Sequence, residues 1–487
     1  MNTTQTSSPI TPRGSVQVDL TRHVIEAPAA MNVPYEGDNP LVRADFPHGF
    51  VPGYGSGLAF KERAANGDLL FYCLTDRGPN GEGPNVPNPG GEGKMGSKLF
   101  PAPSFAPSIG VLRVSPGGAS LESSMPIKTS SDESASGLPL PHGSLGSSAE
   151  IPVSDDLRFN PGGTVVFQAN GIDSEAIAFD AKRNALWVAD EYGPFLLKID
   201  PATGIIEQRY GPGSGLPKVL ALRRANRGME GMTIDPASDR LHAFLQSPLS
   251  DGKAPYAPTG ETEKVERYAR FLRWIEFDPS AGKTQRMLAY PLDSADYADG
   301  HTGNAKLGDL VALGDGKFVV IEQGEGPHGA MVNQLMLVEI GDASDISDEQ
   351  YNPGTSDLEK SSMCGEPVKR ANWAAVTPLK KSLLLNLNSL GWVAEKAEGL
   401  ALVDAHTLAI TNDNDFGLKT RLYDASGVEI NHADVTEIDV DEKGEFVAGA
   451  AATDTIRIAP GAGHERPLTL WLLSFKQPLA SFGREPN

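Results

Sequence analysis

The sequence reads as an all-β chain built from one repeated unit, and three observations carry that reading. Short apolar runs recur in pairs across 487 residues, each pair joined by a turn. The 53 glycines and 38 prolines are scattered between those runs as turn punctuation rather than gathered in one tract. Helical periodicity sustained over ten or more residues is nearly absent.

The paired runs are self-similar, which is the mark of a repeat architecture. Glu175-Ala-Ile-Ala-Phe-Asp180 precedes a turn and then Ala185–Glu191. Glu230-Gly-Met-Thr-Ile-Asp235 precedes Leu241–Gln246, and Glu398-Gly-Leu-Ala-Leu precedes Thr407–Asp413. Leu307–Leu313 leads to Phe318–Gln323, and Gly57–Phe60 leads to Leu69–Arg77. Third strands are expected at Ile109–Val114, Phe195–Ile199, Phe271–Phe277, Gln334–Ile340 and Leu468–Phe475, and fourth strands at Gly204–Tyr210, Lys283–Leu292 and Val376–Leu387. Four short antiparallel strands repeated along one chain describe propeller blades. The expected fold is therefore a single β-propeller of six or seven four-stranded blades. Five are clear, and 115–165 and 417–465 are long enough to hide one more each. The last unit lacks its own fourth strand, and Ser15–Val24 would supply it, closing the ring with an N-terminal strand. Residues 1–14 read as a flexible segment and 15–480 as the propeller domain.

Composition narrows the partners. A net charge of −21 argues against nucleic acid and anionic membrane, both of which demand a basic face. No run approaches the ~20 apolar residues of a spanning helix, so no membrane insertion is expected. The partner implied is a small molecule; oligomeric state is not legible. Of two cysteines, Cys73 lies in the apolar run Leu69–Leu74 and reads as a buried small hydrophobe, while Cys364 lies in a loop-like stretch. No CxxC or zinc spacing occurs, and pairing of the two stays open. The N-terminus, MNTTQTSSPITPRG, has no basic start followed by an apolar segment. Either the protein is cytoplasmic, or it is exported (periplasmic or secreted) with its leader absent from this sequence.

In a propeller the first strand of each blade lines the axis, so side chains at its start, and on the loop leaving the second strand, meet at the channel mouth. The first place holds Glu175, Glu230 and Glu398. The second holds Asp76-Arg77, Asp190-Glu191, Gln246-Ser247, Glu322-Gln323 and Asn412–Asp415. Carboxylates crowded there would resist ionisation unless cations neutralised them, and hard oxygen ligands suit Ca2+, Mg2+ or Mn2+. His328, six residues beyond Glu322, and His432 are either metal ligands, which would favour Mn2+, or turn residues. Arg77 and Arg227 flank two axial strands and either contact an anionic substrate or pair with neighbouring carboxylates. The chain has no G-x-S-x-G elbow, H-E-x-x-H, Walker loop or Rossmann fingerprint.

Taken together, Asp173-Ser-Glu-Ala-Ile-Ala-Phe, Trp187–Pro194, Arg227-Gly-Met-Glu-Gly-Met-Thr, Arg270-Phe-Leu-Arg and Ala397-Glu-Gly-Leu-Ala resemble the bacterial phytase-like propeller family, labelled "esterase-like activity of phytase". The resemblance spans roughly 50–475 and includes phosphotriesterases with a binuclear, manganese-type centre. It implies an exported metal-dependent hydrolase of phosphate esters, in which metal-activated hydroxide attacks phosphorus, with two divalent ions, Mn2+ or Ca2+. The implied metal ligands are Glu175, Glu230 and Glu398, with Glu322, His328, Asp413 and His432 on looser matches. Asp190 or Glu191 would handle the water's proton, and Arg77 or Arg227 would stabilise charge at phosphorus. Phytate itself is not expected, because the chain shows few basic residues near the proposed channel. The alternatives are a Ca2+-dependent lactonase or carboxylesterase, and a non-catalytic propeller with a structural metal. Loops 78–107 and 250–268 are long enough to form a lid.

Overall fold

The computed structural model of the chain describes residues 3–7, 10–11, 14–155, 166–256, 260–353, 358–364, 372–431, 433–449 and 453–482. Five antiparallel four-stranded units follow one another, the first and the fifth joined edge to edge by the parallel pairs Ala119–Ile25 and Ser120–Glu26. The first blade is Gly57–Arg63, Leu69–Leu74, Ser108–Ser115 and Gly118–Pro126; the second is Ser174–Asp180, Ala185–Asp190, Phe195–Ile199 and Ile206–Pro212. The third is Met229–Asp235, Arg240–Leu245, Phe271–Asp278 and Lys283–Pro291; the fourth is Lys306–Gly314, Lys317–Glu325, Met331–Glu339 and Lys380–Asn386. In the fifth, Leu400–Asp404, Thr407–Thr411 and Thr469–Phe475 are joined on the outside by Val18–Glu26, antiparallel with Thr469 opposite Val24 and Phe475 opposite Val18. Thr3–Ser7, in the segment expected to be flexible, pairs with the other edge of Val18–Glu26.

The first strands of the five units neighbour one another in cyclic order, which is a propeller-like arrangement. Each gap between successive units holds its own apolar cluster, because a strand pair that alternates sides buries one face against each neighbour. Leu74 and Ile109 meet Ile177 and Val188 between the first two blades. Trp187 and Leu196 meet Met232 and Phe277 in the next gap, and Trp274 and Leu288 meet Leu310 and Phe318 in the third. Val319 and Leu335 meet Leu400 and Leu408, and Ala409 and Leu470 return to Leu58 and Phe71 of the first blade. Cys73 is buried in this last cluster as a free thiol; the Cys364 side chain lies outside the described residues.

Among the described residues five such units are found, and a sixth or seventh blade is not confirmed. The stretches expected to hide more are used otherwise. Gly118–Pro126 completes the first blade, and Ile151–Val153 joins a separate sheet with Lys94–Leu99, Gly81–Pro87, Asp439–Val440 and Phe446–Ala448. With the antiparallel strand pair Leu418–Tyr423/Thr455–Pro460, that sheet shares a core of Val86, Leu99, Ile151, Leu418, Ile438 and Ile458. These insertions form a cap on one end of the ring. Their strand-like alternation resembles blade material because a small sheet also buries one face.

The ring is tight, which explains the small residue after each axial glutamate. A Cβ on Gly231 would stand 2.6 Å from the Gly308 carbonyl oxygen of the next blade, and one on Gly399 would stand 2.9 Å from Cβ of Leu58. One on Gly57 would come within 3.0 Å of the Ala176 backbone. At these three points only glycine lets the strands approach this closely. At the same points the pairing slips, between Ser174 and Ala176 and between Met229 and Gly231, so Glu175 and Glu230 are the extra residues of β-bulges. A bulge re-aims its side chain out of the regular alternation. Asp309, on the first strand of the fourth blade, pins three blades together. Its carboxylate accepts from the backbone N–H of Met232 at 3.1 Å, Leu310 at 2.8 Å and Leu400 at 3.4 Å.

Candidate functional site

The bulges, the second-strand loops and the cap enclose one cavity of about 820 Å³. Glu175, Glu191, Glu230, Glu398 and Asp76 lie in its wall, together with Arg77, Arg227, Lys306 and Lys396. The three glutamates read from the repeat therefore do converge, and so does Glu191. Asp173, Glu175 and Glu191 each offer an oxygen within 4.8 Å of the others, a spacing able to grip one cation.

Burial of so many like charges pushes their acidities in one direction. Burial first, then Asp173 and Glu230, hold the Glu175 carboxyl well above the usual carboxylate range. Burial, followed by Glu230 and Asp173, does the same for Glu191. Burial pushes Glu230 up to about 7, against the hydrogen bond from Gln246 and the charge of Arg227. Glu398 is raised by burial, with Lys396 opposing and Asp413 adding to the rise. Asp76 is raised by burial, Asp413 and Asp173. Two oxygens in this set, Oε2 of Glu230 and Oε2 of Glu398, are buried with no hydrogen-bond donor, and Oδ2 of Asp173 has only the Arg77 guanidinium, 3.5 Å away. A buried carboxylate oxygen left without a donor is costly unless a cation supplies the missing contact. The residues present thus fit a hard divalent ion with oxygen ligands.

Other sequence-derived candidates fall elsewhere. Asp190 does not reach the cavity wall. Its Oδ1 accepts from the backbone N–H of Asp173 and Tyr192, both at 3.0 Å, and its Oδ2 pairs with Arg209 at 3.2 Å, so it shapes the loop instead of facing a substrate. Glu322 is also committed elsewhere: the Tyr290 hydroxyl donates to it at 2.5 Å, Tyr297 at 2.7 Å, and the Lys381 ammonium at 2.8 Å. His328 is exposed in the turn between the second and third strands of the fourth blade and does not line the cavity. His432 lies outside the described residues. Asp413 is buried beside the cavity and is ion-paired with Lys396 at 2.5 Å; burial raises it to about 6 while Lys396 pulls it down.

The expectation of few basic residues near the channel also needs correcting, since seven lysines and arginines line the cavity. Five are taken. Arg77 is tied to Glu150 at 2.9 Å and to Asp173 at 3.5 Å, so it orients Asp173. Lys98 pairs with Glu82, Lys419 with Glu465 and Arg421 with Glu429, and Lys396 is held by Asp413 and Asp415. Arg227 donates to Gln246 and Ser247 but has no carboxylate partner among the described residues, and neither has Lys306. Burial, then the charges of Arg227 and Lys396, lower the Lys306 ammonium. Asp173, Lys306 and Lys396 were not singled out by the sequence reasoning. Only Asp173 left a signal, as the first residue of the Asp-Ser-Glu-Ala run.

The family model described as "Phytase-like: Esterase-like activity of phytase" matches residues 110–416. The chain belongs to this phytase-like family. The match runs from the third strand of the first blade to the turn after Asp415, and so includes every axial glutamate. An "Uncharacterized secreted protein" of the fungus Arthroderma benhamiae is 26% identical over 184 residues, covering 31% of this chain and 34% of the relative. The chain thus spans about a third of the length of the curated relative it matches. Among solved structures, an α-L-arabinofuranosidase of Podospora anserina overlays with TM-score 0.33 at 9% identity, covering 94% of this chain and 97% of that one. The periplasmic gluconolactonase PpgL of Pseudomonas aeruginosa gives 0.29 at 11%, covering 84% and 88%. At such scores these overlays carry no weight; the strand pairing defines the arrangement. Among the described residues no helix is long and apolar enough to cross a membrane.

Proposed function

We propose that this phytase-like chain, as a five-bladed propeller closed by its N-terminal strand, hydrolyses phosphate esters in the capped axial cavity with the help of divalent cations. One observation supports this reading above the others. Buried carboxylate oxygens without donors share a wall with two cationic side chains, Arg227 and Lys306, that have no acidic partner among the described residues. A site short of positive charge on one side and of negative charge on the other suits an anionic substrate held against a cation.

The residues have separable tasks. Asp173, Glu175 and Glu191 would hold the ion, with Glu230 and Glu398 beside them. A bound divalent ion would supply Lewis acidity toward the phosphoryl oxygen and a more acidic water. Arg227 and Lys306 bind phosphoryl oxygens and stabilise charge gathered there in the transition state. Glu230, a cavity carboxylate beside that ion site, would accept the proton of the attacking water and pass it on. Under the cap the local dielectric is lower than in bulk water, which would strengthen each of these interactions. The secreted relative supports action outside the cytoplasm.

The oxygen-only donor set among the described residues also suits Ca2+, so a Ca2+-dependent lactonase or carboxylesterase is the second reading. Stripping the protein with a chelator and assaying a chromogenic phosphotriester, a phosphomonoester and a lactone panel separates the two. Loss of phosphoester hydrolysis, restored by Mn2+ or Ca2+, is the expected result. Turnover that survives metal removal, or that is confined to lactones, would overturn the proposal.

A further inference from the structure

The acidic side chains at the axis form two groups that differ in what neutralises them. On one side Asp173, Glu175 and Glu191 bring three oxygens within 4.8 Å of one another. The nearest cation there is Arg77, 3.5 Å from Oδ2 of Asp173 and shared with Glu150. On the other side, one ammonium sits inside its own carboxylate shell. Nζ of Lys396 is 2.5 Å from Oδ2 of Asp413, 2.8 Å from Oδ1 of Asp415 and 4.0 Å from Oε1 of Glu398. These three acids come from the two ends of one hairpin, the start of the first strand and the loop leaving the second.

That shell is built rather than accidental. Lys396 is two residues before the axial Glu398, so the approach to the first strand delivers both. Asp413 accepts from the Asp415 backbone N–H at 3.0 Å, which fixes the two carboxylates relative to each other. Asp415 and Phe416 both adopt left-handed backbone, φ 46° and 52°. Two consecutive non-glycine residues there are costly and persist only when their surroundings demand them. The buried Phe416 ring, edge-on to Phe105, supplies that demand. A lysine ammonium presents three donors and one charge at a compact point, which is what a carboxylate cluster otherwise takes from a metal.

Resting on the reading of the cavity as a divalent-cation site, we propose that Lys396 stands in for a second metal ion. The chain then binds a single divalent cation, at Asp173, Glu175 and Glu191, where the family resemblance implied a pair. The unpartnered oxygens of Glu230 and Glu398 belong to the wall between the two groups and remain available to that one ion. A second divalent ion within the Asp413–Asp415 shell would have to displace an ammonium already in hydrogen-bond contact with two carboxylates.

The test is metal stoichiometry on the full chain, stripped with chelator and titrated with CaCl2 or MnCl2 by calorimetry, with metal content checked by mass spectrometry. The wild type is expected to take up one equivalent, and K396R, which keeps the charge, one. K396M is expected to take up two, because it empties the shell while leaving its acids. E175Q should bind at least tenfold more weakly. D415N, which touches only the lysine shell, should leave the wild-type equivalent intact and its affinity within about twofold, whatever the folding of K396M. Two equivalents in the wild type, loss of one in D415N, or one equivalent in a folded K396M would each overturn the role given to Lys396. No uptake by the wild type would instead remove the divalent-cation reading on which this rests.

Discussion

Glu191 and Glu322 stand one residue apart in the register of their blades: Ser174 pairs with Asp190 and Leu307 with Glu322, so Glu322 matches Asp190 while Glu191 matches Gln323, and both glutamates are buried. Their surroundings could hardly differ more. Glu322 is enclosed by two tyrosine hydroxyls and a lysine ammonium, every one of them a donor. Glu191 faces Glu230 and Asp173, with Arg227 and Arg77 only as opposing fields. Glu322 stands where Asp190 stands, among donors, and Glu191 where Gln323 stands, in the cavity wall, so one step along the chain separates a strut from a ligand. A satisfied buried charge holds structure; an unsatisfied one is waiting for something to bind.

The sharpest way to break this comparison is to remove each acid in turn. Glu322→Ala leaves the Lys381 ammonium buried without its partner and is expected to cost about 3–5 kcal/mol in urea unfolding, with no rescue by added metal. Glu191→Ala removes one of several repelling charges, so the metal-free protein should be as stable as the wild type or more so, while phosphoester turnover collapses. Equal destabilisation by the two substitutions would show that Glu191 is a strut as well.

A pH titration sharpens the same contrast. The Glu230 carboxyl, raised to about 7 in the folded chain against 4.5 unfolded, is a group that the native state holds protonated. Its contribution to stability is fully present below about pH 4.5 and is lost as pH rises through 7. The metal-free protein should therefore lose stability between those values, by at most about 1.4 kcal/mol per pH unit for each such group. Saturating Ca2+ should flatten that slope, because a bound ion favours the ionised form. Thermal melts across pH with and without Ca2+ provide the check, and identical slopes would count against cation binding at these acids.

How much of this was legible beforehand follows from particular residues. Glu175, Glu230 and Glu398 could be read because the ring forces glycine or alanine after each, and that steric demand leaves a visible tripeptide. Asp190 and Glu191 could not be told apart, since adjacent residues point to opposite sides and the strand's end blurs the alternation. Glu322 misled because its satisfying partners, Tyr290, Tyr297 and Lys381, come from 25 to 59 residues away and carry no motif. The stretches 115–165 and 417–465 read as blade material because the cap strands they contribute are also short and alternating. Of the two loops considered as a lid, the first supplies Asn80, Gly81, Glu82 and Lys98 to the cavity. Of the second, Val265 and Tyr268 pack with Ala254 and Met363, and none of its described residues lines the cavity.

The smallest expected effect concerns His328, read as a ligand from the resemblance. It is exposed in a turn, so His328→Ala should change unfolding free energy by less than about 0.5 kcal/mol and leave bound metal unaltered. A drop in metal content measured on that variant would return the histidine to the centre.

The left-handed run Asp415-Phe416-Gly417 also leads directly into Leu418, the first residue of the cap strand pair and part of the cavity wall. The roof is therefore tethered to the floor by three residues of unusual backbone, with no slack between them. Swapping this strand pair for that of another family member, to change which esters are accepted, should succeed only when the transplant carries 415–417 along with it; cut after Gly417, the new roof would inherit a hinge set for the old one.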